Sequence, residues 1–151
     1  MRAAEQLRYA VLAAQRDGNR RLSFELGRLG LTPSQAEVLR LLVDGAPLSL
    51  TELGRLLVCE SGTNPSRLVD RMVVADLVTR GQDPNDRRLV TLTPTERGRA
   101  LDADVRGIEE RLYDEIDAAT VGLDLERLVG LLSGLATGDA GEALARRVSA
   151  S

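Results

Sequence analysis

The side chains best suited to chemistry in this sequence are small polar residues and arginines between positions 61 and 88. Hydroxyl and amide groups exchange hydrogen bonds with base edges, and a guanidinium binds a guanine edge or neutralises a phosphate. A helix in the major groove presents its N-terminal residues to those edges. This order of residues therefore predicts a DNA-reading helix. Its candidate contact residues are Ser61, Thr63, Asn64, Ser66, Arg67 and Arg71.

A second group lies in the polar turn that follows. Gly81 to Asn85 are rich in turn-forming residue types, and Asp86-Arg87-Arg88 stand at the far end of this turn. Guanidinium groups on a projecting hairpin fit a narrow minor groove, where the negative potential is enhanced. The alternative for both groups is a solvated surface, with Arg67 and Arg71 simply flanking Asp70.

Composition restricts the other function classes. The chain has no histidine, which removes histidine-based metal sites and Ser/His or Cys/His nucleophile pairs. We therefore predict no enzyme activity, no metal and no cofactor. The single cysteine, Cys59, cannot form an internal disulfide, which favours a reducing cytoplasm. We expect it to be a small buried side chain, with a redox role as the alternative.

Charge is distributed unevenly along the chain. The net charge is −3, yet residues 65–100 hold seven arginines against five acidic residues. The remainder holds thirteen arginines against eighteen acidic residues. A local cationic surface on an acidic body is compatible with DNA as partner. No apolar run approaches the 18 residues of a membrane span, so a soluble protein without a membrane partner is expected.

Helix and strand signals surround the two candidate groups. Helices are predicted over 33–43, from Ser49 to about Leu57, and up to about Ala75 from a cap at either Ser61 or Asn64. Strands are predicted at 77–80 and 89–92, followed by a helix start with Thr93 as the cap and Pro94 at its first position.

Long apolar-periodic segments lie at both ends. Residues 1–29 read as one helix with a weak point at Gly18, and residues 94–119 read as another. A further helix follows Gly122, and the last ten residues form either a short helix or a disordered end. A helix of some 25 residues is too long to be buried along its length by a small domain. We therefore expect the terminal helices to pair two subunits, with an ordinary core role as the alternative.

Several of these segments together resemble the MarR (multiple antibiotic resistance regulator) family. The motifs that carry the resemblance lie between about residues 30 and 100. They are Leu31-Thr32-Pro33-Ser34-Gln35-Ala36-Glu37-Val38-Leu39, Thr51-Glu52-Leu53, Arg67-Leu68-Val69-Asp70-Arg71-Met72, Asp83-Pro84-Asn85-Asp86-Arg87-Arg88 and Leu92-Thr93-Pro94.

The resemblance implies a single domain over residues 1–151, mainly α-helical with a small two- to three-stranded β wing. Residues of about 30–99 would form the winged helix-turn-helix lobe, and about 1–29 and 100–148 the dimerisation helices. The implied function is a homodimeric transcriptional regulator, expected to be a repressor, on a pseudopalindromic operator. Arg88 would enter the minor groove, with Asp86 orienting the wing and Arg87 as a second contact.

The family also implies a partner and shows where this chain differs. Many members respond to a small aromatic or phenolic ligand between the DNA-binding lobe and the dimer helices, for which Tyr9, Phe24 and Tyr113 are candidates although a core role is expected for each. This wing is about two residues short, Pro65 replaces an apolar residue, and Ala75-Asp76 stands where the family often has glycine. The rival function is a winged-helix module whose arginines bind acidic proteins instead of an operator.

Overall fold

Seven helices and three short strands make up the part of the chain that the structure describes. The structure is a computed structural model, and it describes residues 1–59, 64–83, 86 and 88–150. The helices are α1 (Ala3–Gly27), α2 (Pro33–Gly45), α3 (Leu50–Leu56), α4 (Pro65–Val74), α5 (Glu96–Ala119), α6 (Leu125–Leu135) and α7 (Asp139–Ala150). The strands are β1 (Leu48–Ser49), β2 (Val78–Gln82) and β3 (Val90–Pro94). The predicted fold class, mainly helical with a small β element, is confirmed.

The helix starts in the middle of the chain follow their capping residues. Thr32 and Gln35 form a reciprocal capping box at α2, with Pro33 at the first helical position. Ser49 and Glu52 form the same arrangement at α3. At α4 the two predicted caps are resolved in favour of Asn64, whose side chain accepts from the Ser66 N–H at 2.9 Å. Pro65 then occupies the first helical position, where no intrahelical donor is lost.

The sheet has the antiparallel order β1-β3-β2. Leu48 pairs with Leu92 in the short first strand, and Val78 to Gln82 pair with Pro94 to Val90 in the hairpin. The predicted helix start at Thr93 is wrong, because Thr93 lies in the ladder opposite Thr79 and Pro94 ends strand β3. Thr95 caps α5 instead and accepts from the Gly98 N–H at 2.9 Å.

One apolar core joins the helix-turn-helix elements to α5. Leucine and valine dominate it, as the scarcity of aromatic residues requires. Its fully buried large side chains come from α1, α2, α3, α4, β2, β3 and α5, and include Leu26, Leu39, Leu42, Leu53, Met72, Leu92 and Val105. The core therefore fixes the helix-turn-helix on the first half of α5.

The junction between α4 and β2 depends on Asp76. This residue has φ +56°, and its N–H donates to the Val73 carbonyl while the Leu77 N–H reaches back to Met72. That is the left-handed helix cap that glycine usually provides, here made by an aspartate. Gly98 is needed nearby for a different reason, because a Cβ there would lie 2.2 Å from the Leu77 carbonyl oxygen.

Apolar surface remains uncovered on the terminal helices. In α1 Leu26 is the buried residue, and in α6 none of the residues is buried. Helix α1 runs without interruption through Gly18, the weak point in its sequence. The exposed apolar side chains of these helices include Leu7, Val11, Leu12, Ile116, Leu128, Val129, Leu131, Leu132 and Leu135.

Replacing Thr95 tests the corrected start of α5. The Thr95 hydroxyl accepts from Gly98 and donates to the Asp76 carbonyl at 2.8 Å, so Thr95→Ala removes a cap and a link to the α4 junction. We expect the free energy of unfolding in urea to fall by about 1–2 kcal/mol. Thr95→Ser should restore most of it. The control Thr93→Ala loses an exposed cross-strand pair and should cost less than about 1 kcal/mol; a larger loss at Thr93 than at Thr95 contradicts the assignment.

Candidate nucleic-acid interface

Helix α4 presents one polar face to solvent and one apolar face to the core. Leu68, Val69 and Met72 are buried on the core side. Asn64, Arg67, Asp70 and Arg71 are exposed on the other side, and Ser66 is half-buried. Arg67 and Arg71 are both exposed, and no ion-pair partner of either is found among the described residues. Asp70 is paired with Arg80 of β2 at 2.5 Å, so it links α4 to the hairpin.

Two further contacts fix the position of α4. Arg97 of α5 donates to the carbonyl of Ala75, just beyond the last residue of α4, at 3.2 Å. A cation at a helix C-terminus also matches the helix dipole. At the other end, the Glu37 carboxylate of α2 accepts from the N–H groups of Val58 and Cys59 at 2.8 and 2.9 Å. These residues begin the turn between α3 and α4.

The end of the hairpin is organised by two aspartates. Asp86 accepts from the backbone N–H of Arg88 at 3.0 Å, and the N–H of Asp86 donates to Asp83 Oδ1 at 3.1 Å. Across the end of the hairpin, the N–H of Asp83 donates to the Leu89 carbonyl. These hydrogen bonds fix the backbone of Arg88. Its side chain is exposed where the hairpin returns toward β3.

Six of the nine candidate DNA-contact residues lie in the described part of the chain. The structure brings Asn64, Ser66, Arg67 and Arg71 together on α4, and it places Asp86 and Arg88 on the hairpin. Helix and hairpin are joined through the Asp70–Arg80 pair. Ser61, Thr63 and Arg87 lie outside the described residues.

The sequence prediction missed Glu37. It is an acidic residue with 6% exposure inside an otherwise apolar stretch of α2, and Arg147 of α7 also contacts it at 2.7 Å. The signal in the sequence was an acidic residue within an apolar helical stretch. A carboxylate buried there must be paired, which predicts a partner for Glu37.

Cys59 differs from its predicted role. The residue is exposed, so the expected buried side chain is wrong. Partial burial of the sulfur, followed by the nearby Glu37 carboxylate, raises the pKa of the Cys59 thiol to about 11. The thiolate is the reactive form of cysteine, so this environment keeps the group weakly reactive at neutral pH.

A buried charge network joins α2 to α5. Asp102 is 1% exposed and accepts from Arg40 Nε at 3.1 Å and from Arg106 Nε at 2.9 Å. Arg40 also places Nη2 2.8 Å from Glu109 Oε2, as an ion pair without hydrogen-bond geometry. Burial raises the pKa of Glu109, and Arg40 opposes that effect. Breaking a buried pair leaves an uncompensated charge, so the network resists relative movement of the two helices.

A cavity of about 370 Å³ lies beside this network, between α1, α2, α5 and α7. Its lining mixes charged groups with a few apolar ones and includes Glu37, Arg40, Leu112, Tyr113 and Arg147. Tyr113 is 47% exposed and lines this cavity, whereas Phe24 lines a separate cavity of about 430 Å³ between α1 and α5. Neither aromatic residue is core, and Tyr9 is 51% exposed.

Neither a membrane-spanning helix nor a metal site is found within the described ranges. No helix there is long and apolar enough to cross a membrane. No group of three or more cysteine, aspartate or glutamate side chains there is arranged to hold a metal ion.

Known proteins resemble this chain in its lobe sequence and in its overall fold. A MarR family model matches residues 29–89. The uncharacterized HTH-type transcriptional regulator YcgE of Bacillus subtilis is 38% identical over 66 residues, which make up 44% of this chain and 42% of that protein. The matching segment thus spans less than half the length of this curated relative.

Solved structures match over most of the chain. Mutant MarR from E. coli complexed with operator DNA has a TM-score of 0.71 at 25% identity, covering 87% of this chain and 94% of that one. A probable transcriptional regulator from Pseudomonas aeruginosa has a TM-score of 0.71 at 26% identity, covering 89% and 99%.

Fold and site together define a winged helix-turn-helix protein: a helix with an exposed polar face, followed by a hairpin with an arginine at its end. Over residues 29–89 the chain resembles the MarR family, and the solved structures that it matches extend the likeness in fold to most of the chain. The relatives named above include proteins described as transcriptional regulators.

Proposed function

We propose that this protein is a homodimeric, sequence-specific DNA-binding regulator of transcription that acts as a repressor. The observation that carries the proposal is the joint placement of Arg67 and Arg71 on α4 and Arg88 on the hairpin, all exposed. The resemblance to a MarR structure with operator DNA supports DNA as the partner. In the proposed complex, α4 enters the major groove and the hairpin enters the adjacent minor groove.

The roles within this interface differ by residue. Asn64, Ser66 and Arg67 lie in the first turn of α4 and are proposed to meet base edges, together with Ser61 and Thr63. Arg71, one turn further along, is proposed to neutralise a phosphate. Arg88 and Arg87 are proposed to enter the minor groove. Asp86 holds the Arg88 backbone and would act through it.

The second copy of the chain is proposed to cover the apolar surface of α1 and α6. No residue of α6 is buried in the single chain, although leucine and valine make up much of the helix. A groove between α6 and α7, about 800 Å³ in volume, is lined by Leu125, Val129 and Leu144. Exposed apolar surface of this extent is typical of an interface, and a two-fold dimer would match a palindromic operator.

A small aromatic or phenolic effector is proposed to bind the 370 Å³ cavity. This cavity is favoured over the one beside Phe24 because it includes residues of α2, which belongs to the DNA-binding lobe, as well as residues of α1 and α5. A ligand there would contact the lobe and the proposed dimer helices at the same time, so it could change their relative position.

Substitutions in the hairpin test the DNA interface. Arg88→Ala should weaken operator binding by about 1–3 kcal/mol, measured as the dissociation constant at fixed salt. Asp86→Ala should also weaken it even though it removes a negative charge near DNA, because the Arg88 N–H loses its acceptor. Asp86→Asn keeps an acceptor oxygen and should bind at least as well as the parent.

Arg16→Ala on α1 serves as the control for loss of one positive charge. Affinity of the parent should fall steeply with salt, since much of it comes from phosphate neutralisation. If Arg88→Ala binds like Arg16→Ala, the hairpin assignment fails. A protein that leaves no footprint on any promoter DNA supports the rival protein-interaction module.

A charge placed on α6 tests the dimer. Leu131→Glu, at a position 54% exposed in the single chain, should convert a dimer of the 16.3 kDa chain to monomer in light scattering. Val74→Glu, at a position 89% exposed on α4, introduces the same charge outside the proposed interface and should leave the mass unchanged. A monomeric parent protein rejects the proposal.

The effector cavity is testable because the chain contains no tryptophan. Tyr113→Trp puts a fluorophore at this cavity, and Phe24→Trp puts a matched fluorophore at the other cavity. Titration with benzoate and with phenol should shift the emission of Tyr113→Trp and weaken operator binding, with little change in Phe24→Trp. A response confined to Phe24→Trp would move the effector site to the cavity between α1 and α5.

A further inference from the structure

The C-terminal helix α7 folds back onto the helix-turn-helix of its own chain. Helix α7 contacts α3, and its Ala143 is 2% exposed. Arg146 Nη1 donates to the Arg55 carbonyl in the last turn of α3 at 3.3 Å, and Arg146 is also paired with Glu142 one turn back at 3.0 Å. At the α6–α7 junction the backbone of Gly141 lies close to that of Ala136, since a Cβ at Gly141 would lie 1.8 Å from the Ala136 carbonyl oxygen. These contacts define where α7 lies on the lobe.

The next residue of α7, Arg147, reaches a carboxylate that organises the turn before α4. Its Nη1 donates to Glu37 Oε1 at 2.7 Å. The same oxygen accepts from Val58 N–H at 2.8 Å, and Glu37 Oε2 accepts from Cys59 N–H at 2.9 Å. One buried carboxylate thus connects α7, α2 and the chain leaving α3. The residues that follow, 60–63, lie outside the described part of the chain.

The Glu37 side chain is 5% exposed, and the Arg147 side chain is 34% exposed. A carboxylate at such low exposure is stable in its charged form only while donors and an opposite charge compensate for lost hydration. Among the described residues, removal of the guanidinium leaves two backbone donors to hold the Glu37 carboxylate. Rotation of the carboxylate toward water would then release both amides. Arg147 therefore stabilises the turn through Glu37.

We propose that α7 is a positioning element of the DNA reader. Arg147 holds the Glu37 carboxylate on the Val58 and Cys59 amides and thereby sets how α3 leads into α4. The C-terminal helix then controls operator affinity from a side of the lobe that does not touch DNA. The part of this inference that concerns affinity rests on the proposed function; the part that concerns the turn does not.

The turn is tested first, without DNA, by amide hydrogen exchange on the full-length chain. Arg147→Gln should make the Val58 and Cys59 amides exchange about tenfold faster or more, because their charged acceptor is loosened. The amide of Val105 in α5 serves as an internal reference for global opening. Glu37→Ala removes the acceptor altogether and should give rates at least as high.

Arg146→Gln is the matched control. It removes the same charge from the neighbouring residue of the same helix and loses the contact with Arg55, but it leaves the Glu37 carboxylate in place. Its Val58 and Cys59 rates should remain within about twofold of the parent. Unchanged rates in Arg147→Gln, or an equal increase at Val105, overturn the proposal.

Operator binding gives the second readout. Arg147→Gln should lower affinity several-fold while the slope of log affinity against log salt stays at the parent value, because no phosphate contact is lost. A reduced slope would mean that Arg147 binds DNA itself and would overturn the positioning role. If the protein binds no operator at all, the proposed function fails, and the exchange result still decides the role of Arg147 in the turn.

Discussion

The position of α2 relative to α5 depends on the ion pairs of the buried Asp102 carboxylate. This carboxylate lies on α5 at 1% exposure and receives hydrogen bonds from Arg40 of α2 and from Arg106. A buried charge of this kind is costly unless each partner is in place, so α2 and α5 have one favourable relative position. Since α2 carries the helix-turn-helix and α5 continues into the proposed dimer helices, the same contact relates the proposed DNA-binding surface to the proposed subunit interface.

Helix α4, the proposed DNA-reading helix, is supported from several sides by charged groups of other elements. Glu37 holds the chain after α3, Arg80 holds Asp70 of α4, and Arg97 holds the carbonyl that follows α4. Each contact joins α4 or its leading turn to a different element. Hydrogen bonds that involve a charged partner are the stronger ones, which suits a surface that must keep its shape when a polyanion binds.

Arginine thus serves two purposes in a chain that has no other basic residue. Arg40, Arg80, Arg97, Arg106 and Arg147 are engaged with acidic side chains or backbone carbonyls of the protein. Arg67, Arg71 and Arg88 are exposed on α4 and the hairpin. The planar guanidinium is suited to both uses, because it forms paired hydrogen bonds and remains charged when partly buried. In the proposed DNA complex the acidic remainder of the chain would limit nonspecific attraction, so the location of these three arginines would matter more than the net charge.

Local interactions made part of this structure predictable from the residues alone. Thr32 and Ser49 are caps whose side chains reach their own backbone within three residues, so the starts of α2 and α3 follow from the chain locally. The start of α4 was open between two caps, and the structure places it after Asn64. The helix order α1 to α6, the polar face of α4 and the arginine-bearing hairpin were also predicted from local patterns, whereas strand β1 was not. The cap of α5 depends on long-range pairing, because the ladder between Thr79 and Thr93 takes Thr93 and Pro94 into the sheet and leaves Thr95 as the cap. The tertiary structure also decided the partner of Glu37, since Arg147 lies 110 positions further along the chain and no local pattern relates two residues at that separation.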